Sequence, residues 1–227
     1  SALVFHQTTG CTNNMVQKKQ EVAGTKIVQT DLDFPWKDGR LAFVLDNVFS
    51  KEECEEWITM TEARGYEPAL VNVGGGRQRL MPDVRNNMRC IVDSEELADK
   101  LFRRIKSFLP QTLGGKGQYR IVSLNERLRF LRYDPGEKFE PHYDGAYMRP
   151  DQTEMSRVTV QLYLNEGFDG GATNFLNDKG YRAQGVCPCV PKIGRVLIFE
   201  HRLLHEGEEL RQRRKYAMRT DVMYTTR

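Results

Sequence analysis

From Tyr119 onward the chain is cut by Gly and Pro into short runs too brief for helices and rich in β-branched and aromatic residues. That pattern constrains the fold more than any other feature, because such runs bury their apolar faces only by pairing into sheets. The runs are Tyr119 to Val122, Arg127 to Tyr133, Phe139 to Tyr143, Arg157 to Leu164, Ala172 to Phe175, Val186 to Val190, Val196 to Glu200 and Lys215 to Tyr224. Two helices precede them. The order predicts a mainly β fold, a double-sheet barrel with helices packed on one sheet.

The first helix opens on a capping box, Ser50-Lys51-Glu52-Glu53, and carries Cys54, Trp57, Ile58 and Thr61 at helical spacing. The second follows Asp93-Ser94-Glu95-Glu96, presents Leu97, Leu101, Phe102, Ile105 and Phe108 on one stripe, and ends near Pro110. Leu41 to Asp46 is a further strand candidate. Residues 1–38 are polar and aperiodic until Phe34-Pro35-Trp36 and are expected to form a surface arm or tail. The remainder, 39–227, reads as one domain, with helical support over about 39–113 and a β core over about 114–227.

Composition excludes several classes. An apolar fraction of 39% in 227 residues is enough for a sizeable core, and a net charge of +3 with 29% charged residues gives no mandate for nucleic-acid or membrane binding. No apolar stretch is long enough to span a bilayer, and Ser1 to His6 lacks the pattern of a signal peptide. The chain starts without Met, so its compartment is left open, with a soluble, cytoplasmic location favoured. Five scattered cysteines argue against a disulfide scaffold, and Cys187-Pro188-Cys189 is read as strand and turn rather than as a zinc site.

The run Val158-Thr159-Val160-Gln161-Leu162-Tyr163-Leu164 alternates strictly between apolar and polar residues. In a barrel with an internal site, the Thr159, Gln161 and Tyr163 face would line the cavity. Nearby, His142-Tyr143-Asp144 sets a histidine and a carboxylate one residue apart, and His205 follows much later. Two histidines and one carboxylate form the facial triad that holds iron(II) and leaves coordination positions open. In extended chain, residues i and i+2 point to the same face, so His142 and Asp144 are able to grip one ion while the third ligand arrives from a neighbouring strand. His201 rivals His205; the following Gly207 and the placement of Lys215 favour His205.

Ordered motifs surround these residues. Tyr133 to Asp144, Arg157 to Asn165, Gly170 to Phe175, Pro191 to Phe199 and His205 to Lys215 together resemble the iron(II)- and 2-oxoglutarate-dependent dioxygenases, in their prolyl 4-hydroxylase-like branch. The resemblance covers about the last half of the chain; Leu45 to Ser50 and the first helix are similar, less diagnostically, to that branch's amino-terminal support. It implies a double-stranded β-helix, a jelly-roll, cupin-like form. It further implies iron(II) held by His142, Asp144 and His205, and 2-oxoglutarate as cosubstrate, with ascorbate as a candidate reductant. By family position Lys215 would anchor the far carboxylate of the cosubstrate, with Arg219, on the same strand face, as the competing cation. Tyr133, Thr159 and Tyr163 would help hold it through their hydroxyls. A carboxylate at Asp144 argues for hydroxylation, since related halogenases carry a small residue there.

The implied activity is hydroxylation of a peptide or protein residue, with proline the first choice, giving succinate and carbon dioxide as co-products. Hydroxylation of a free amino acid or other small molecule is the alternative enzyme reading, with nucleic-acid demethylation third on account of the modest charge. A catalytically silent metal-binding interaction module is the alternative of another class. Selectivity is expected from loops such as Val73 to Asn87 and Ala146 to Met155. Within the first, Arg85-Asn86-Asn87 shows no pattern and reads as solvated connection.

Overall fold

Two long strands, Glu154–Tyr163 and Lys215–Thr225, pair antiparallel at the centre of the fold. The computed structural model describes residues 19–22, 25–74, 77–115, 118–178 and 185–226, so His6, Cys11 and the first part of the expected arm lie outside it. The two strands belong to an 11-stranded sheet. Val196–Glu200, Ala42–Asp46 and Thr25–Asp31 extend it on one side, and Arg127–Tyr133 and Met88–Asp93 on the other. A second, four-stranded sheet runs in the order Phe139–His142, His205–Gly207, Thr173–Leu176, Val186–Cys189.

The period of two along each strand separates the two faces of the large sheet. Val158, Val160 and Leu162, with Phe43, Leu45, Val196, Ile198 and Met218, turn to one face. There they pack against α1 (Lys51–Arg64) through Cys54 and Trp57 and against α2 (Glu95–Ile105) through Leu101 and Ile105. The intervening Ala42, Val44, Leu197 and Phe199 turn the other way and meet Phe175, Cys187 and Cys189 of the small sheet. Two sheets enclosing a core, with both helices on the outer face of the larger one, make the jelly roll that the sequence predicts.

One expectation is corrected. Residues 25–38 are not a surface arm: Thr25–Asp31 pairs with Ala42–Asp46, Ile27 is fully buried, and Phe34 stacks on Phe175 with ring centroids 5.5 Å apart. Polar residues outnumber the few apolar ones in this segment, so its pattern is too sparse to register as a strand, yet Ile27, Leu32, Phe34 and Trp36 are all buried. Cys187 and Cys189 sit in one strand as expected; Cys187 is disulfide-bonded, while Cys54, Cys90 and Cys189 are free. Among the described residues no helix is long and apolar enough to cross a membrane.

The helices are locked to each other by a carboxylate. Glu53 completes the capping box by accepting from the Ser50 N–H and also takes both arms of Arg104 at 2.7 Å, with Lys100 at 3.0 Å. Hydrogen bonding from Arg104 outweighs burial and holds the Glu53 carboxyl at about 2. Glu53→Gln should therefore cost about 1–3 kcal/mol at neutral pH, read by chemical denaturation. Because the folded pKa is depressed, that contribution is full above the unfolded value near 4.5 and fades as pH falls toward 2. The difference between wild type and variant should shrink over the same window.

Candidate metal centre

His142 and His205 face each other across the small sheet because the first of their two strands carries one extra residue. Phe139 pairs with Gly207 and His142 with His205, so a bulge lies between. The ring centroids are 4.3 Å apart. Asp144 lies just beyond the strand end, where its N–H donates to the His201 carbonyl at 3.1 Å. His142 Nε2 is 3.9 Å from Asp144 Oδ1 and His205 Nε2 is 3.8 Å from Asp144 Oδ2. One ligand atom from each of the three residues lies within 4.8 Å of the others.

Each imidazole is oriented by backbone. His142 Nδ1 lies 2.7 Å from the Glu140 carbonyl and His205 Nδ1 lies 2.9 Å from the Leu203 carbonyl. A carbonyl only accepts, so Nδ1 carries the proton in both rings and the Nε2 lone pairs face the shared space. Burial, helped by the neighbouring His205, pulls the His142 pKa down to about 3, and burial lowers His205 as well. Neutral, outward-locked imidazoles are the form that binds metal.

Asp144 is ionised in spite of its burial. Desolvation pushes its carboxyl up, but Arg219 and the two imidazoles outweigh it and hold the pKa at about 2. Thr159 Oγ1 donates to Oδ2 at 2.5 Å. Arg219 Nη1 approaches Oδ1 to 2.6 Å without aiming an N–H at it, so Oδ1 is buried with no hydrogen bond. An orphaned carboxylate oxygen beside two lone pairs is a donor set that fits a divalent cation.

Lys215 lines the same cavity as the three residues, along with Tyr133 and Thr173. The residue is 2% exposed, and its ammonium donates to the Gly171 carbonyl at 2.6 Å. Gly171 has φ +70°, and a Cβ there would stand 3.1 Å from Lys215 Cδ, so the Gly170-Gly171 turn sets the lysine's partner as well as reversing the chain. Burial lowers the Lys215 pKa to about 8.

The other sequence candidates are dispersed around this centre. Tyr133 pairs in register with Lys215, whose Nζ lies 4.7 Å from the tyrosine ring centroid. The Thr159 hydroxyl is committed to Asp144, and the Tyr163 hydroxyl bonds Thr173 Oγ1 at 2.8 Å beneath the cavity. Arg219 is held by Asp144 and Asp221. His201 is buried, but its imidazole turns to Asp221, 3.5 Å away, and only its backbone carbonyl touches the centre.

Gln161 lines the cavity, as expected from its place between Thr159 and Tyr163, and donates to Thr173 at 3.0 Å. Two further lining residues are not singled out by the sequence. Arg129 alternates with Leu131 and Tyr133 and so shares their face, a signal visible in the strand. Arg85 left no signal: the segment expected to be solvated connection has Asn87 fully buried, and the Arg85 guanidinium lies 4.5 Å over the Phe139 ring.

The surrounding chain has known counterparts. Residues 128–220 match the model of the 2OG-Fe(II) oxygenase superfamily. A probable prolyl 4-hydroxylase of Arabidopsis thaliana is 26% identical over 179 residues, covering 70% of this chain and 57% of its own length. A second from the same plant is 31% identical over 108 residues, covering 46% and 32%. The chain thus spans about half the length of the curated relatives it matches. Among solved structures, a prolyl hydroxylase of Trichoplax adhaerens, in complex with a hypoxia inducible factor peptide fragment, aligns with a TM-score of 0.62 at 18% identity, covering 82% of this chain and 84% of that one. The viral collagen prolyl hydroxylase of Paramecium Bursaria Chlorella virus-1 gives 0.56 at 22%, covering 82% and 97%. At such identities the structural likeness speaks for the fold, the double-stranded β-helix. The matched stretch runs through the strands that bring His142, His205 and Lys215 to one cavity, so sequence and fold agree: over residues 128–220 the chain is similar to the 2OG-Fe(II) oxygenase superfamily, and the relatives it resembles are prolyl 4-hydroxylases.

Proposed function

We propose that this protein is an iron(II)- and 2-oxoglutarate-dependent hydroxylase acting on a peptide or protein residue, with proline the leading target. The observation that carries the reading is one cavity holding two Nε2 lone pairs, an unbonded carboxylate oxygen and a buried ammonium. His142, Asp144 and His205 are the proposed iron ligands. Iron, when bound, supplies the oxidation in which 2-oxoglutarate and dioxygen yield succinate and carbon dioxide while a substrate C–H becomes C–OH.

The protein's own part is positional. Glu140 and Leu203 carbonyls hold the imidazoles in the binding tautomer, and Thr159 and the His201 carbonyl fix the Asp144 carboxylate. Lys215 is the proposed anchor for the far carboxylate of 2-oxoglutarate, because its ammonium donates to a neutral carbonyl and among the described residues no carboxylate lies within ion-pair distance of it. Arg219 is less suited, being spent on two carboxylates. Proline as target rests on the names of the relatives, which are prolyl hydroxylases. A silent binding module has no need of a buried lysine beside an intact ligand set.

The direct test is succinate release from 2-oxoglutarate by the iron-loaded protein with ascorbate and a proline-containing peptide. The expected result is succinate together with a product heavier by one oxygen; no turnover with any candidate substrate, peptide or small molecule, favours the silent module. Iron content separates the histidines: His205→Ala should lose iron, His201→Ala should keep it, and Thr159→Val should weaken iron binding by ~10–100-fold as an outer partner. Affinity for 2-oxoglutarate should fall as pH rises through about 8, where Lys215 loses its proton. Lys215→Ala should weaken 2-oxoglutarate binding at every pH while iron binding survives, as titration calorimetry would read.

A further inference from the structure

A second cavity, of about 180 Å³, opens beside the metal centre and shares Arg85, Phe139, His142, Asp144 and Arg219 with it. Its charge is lopsided: the guanidinium groups of Arg85, Arg89, Arg129 and Arg219 line it against the carboxylates of Asp144 and Asp221. Arg89 is matched from outside, by Glu67 and Gln78 at 3.1 Å each. Asp221 is shared, 3.2 Å from Arg129 and 3.1 Å from Arg219. Asp144 is the proposed iron ligand, so its charge is committed to the metal.

Arg85 has no carboxylate within ion-pair distance among the described residues. Its Nε donates to Asn87 Oδ1 at 2.8 Å, Nη1 approaches the Leu70 carbonyl at 3.5 Å, and its face rests on Phe139. Burial lowers its pKa to about 10, so it is fully charged at neutral pH. Arg85 therefore stands without a carboxylate beside Arg129 and Arg219, which already share that of Asp221, in a partly enclosed space. Uncompensated charge in such a place is costly unless a ligand neutralises it, and planar guanidinium groups match carboxylates in geometry as well as charge.

We infer that the substrate carries a carboxylate close to its reacting carbon, bound in this cavity by Arg85 with Arg129. The inference rests on the hydroxylase reading and narrows it. Phe139, Leu131 and Val84 supply an apolar wall beside the arginines, fitting a small apolar ring or chain next to the anion. The carboxylate has three possible sources: an acidic side chain next to the target residue, a peptide's own C-terminus, or a free amino or imino acid.

Matched pairs separate the sources. Protein loaded anaerobically with iron(II) and 2-oxoglutarate is titrated in a calorimeter with acetyl-Pro-Asp-amide against acetyl-Pro-Asn-amide. The same is done with acetyl-Gly-Pro bearing a free C-terminus against its amide, and with L-proline against L-prolinamide. In one pair the carboxylate member should bind about tenfold or more tightly, and that pair names the source. Arg85→Gln should erase the preference while 2-oxoglutarate still binds. Equal affinity within every pair overturns the inference, as does a preference that survives in both Arg85→Gln and Arg129→Gln. The loading step keeps the two readings apart: 2-oxoglutarate that fails to bind the iron-loaded protein undoes the hydroxylase proposal, whereas bound 2-oxoglutarate without any carboxylate preference undoes only this one.

Discussion

Strict alternation along the paired strands Glu154–Tyr163 and Lys215–Thr225 is the constraint on which the rest of the molecule depends. One set of side chains, Val158, Val160, Leu162, Met218 and Val222, is sealed against the helices. The other set, Thr159, Gln161, Lys215, Ala217 and Arg219, turns inward to the site or to the carboxylate within it. A slip of one residue in this pairing would bury Lys215 and Arg219 in the helical core and turn the valines to the cavity. The hydrophobic packing that stabilises the sheet is therefore what orients the polar chemistry. Helices α1 and α2 pack on the face of this sheet that is turned away from the site.

Electrostatics sharpen what alternation arranges. Asp144 and Asp221 are both buried, and both stay below the ordinary carboxylate range because, despite burial, Arg219 and neighbouring cationic or imidazole groups hold them there. Arg219 bridges the pair, 2.6 Å from one and 3.1 Å from the other. Such groups are costly to bury singly and tolerable together, which ties the candidate metal centre to the Asp221, Arg129 and His201 cluster behind it. His201 illustrates the division of labour: its ring serves that cluster while its carbonyl steadies Asp144. The arginine-rich cavity is the outer side of the same network.

Legibility in the sequence followed the strength of local pattern. Helix α1 declared itself through Ser50 and Glu53, whose reciprocal bonds are both present, and the Val158 to Leu164 alternation revealed which residues turn inward. Segments with weaker periodicity were misread or missed. Thr25–Asp31 hides its buried Ile27 among polar residues, and His205–Gly207 is too short for any period to show. Arg85 is harder still, because its position depends on Asn87 beside it and Phe139 beneath it, and nothing local marks either contact.

What the sequence determined by itself is the chemistry on offer: an HxD pair, a distant histidine and a β framework to carry them, since ligand type and strand period are properties of residues and their near neighbours; Lys215 is marked only by family resemblance. Only the tertiary structure brought His205 rather than His201 beside His142 and Asp144, set Lys215 on the Gly171 carbonyl while committing Arg219 to Asp144 and Asp221, and gathered four arginines around one cavity. Those outcomes turn on a single extra residue in the Phe139–His142 strand and on pairings between distant segments. Long-range register is fixed by the packing of the whole sheet, and no stretch of chain encodes it alone.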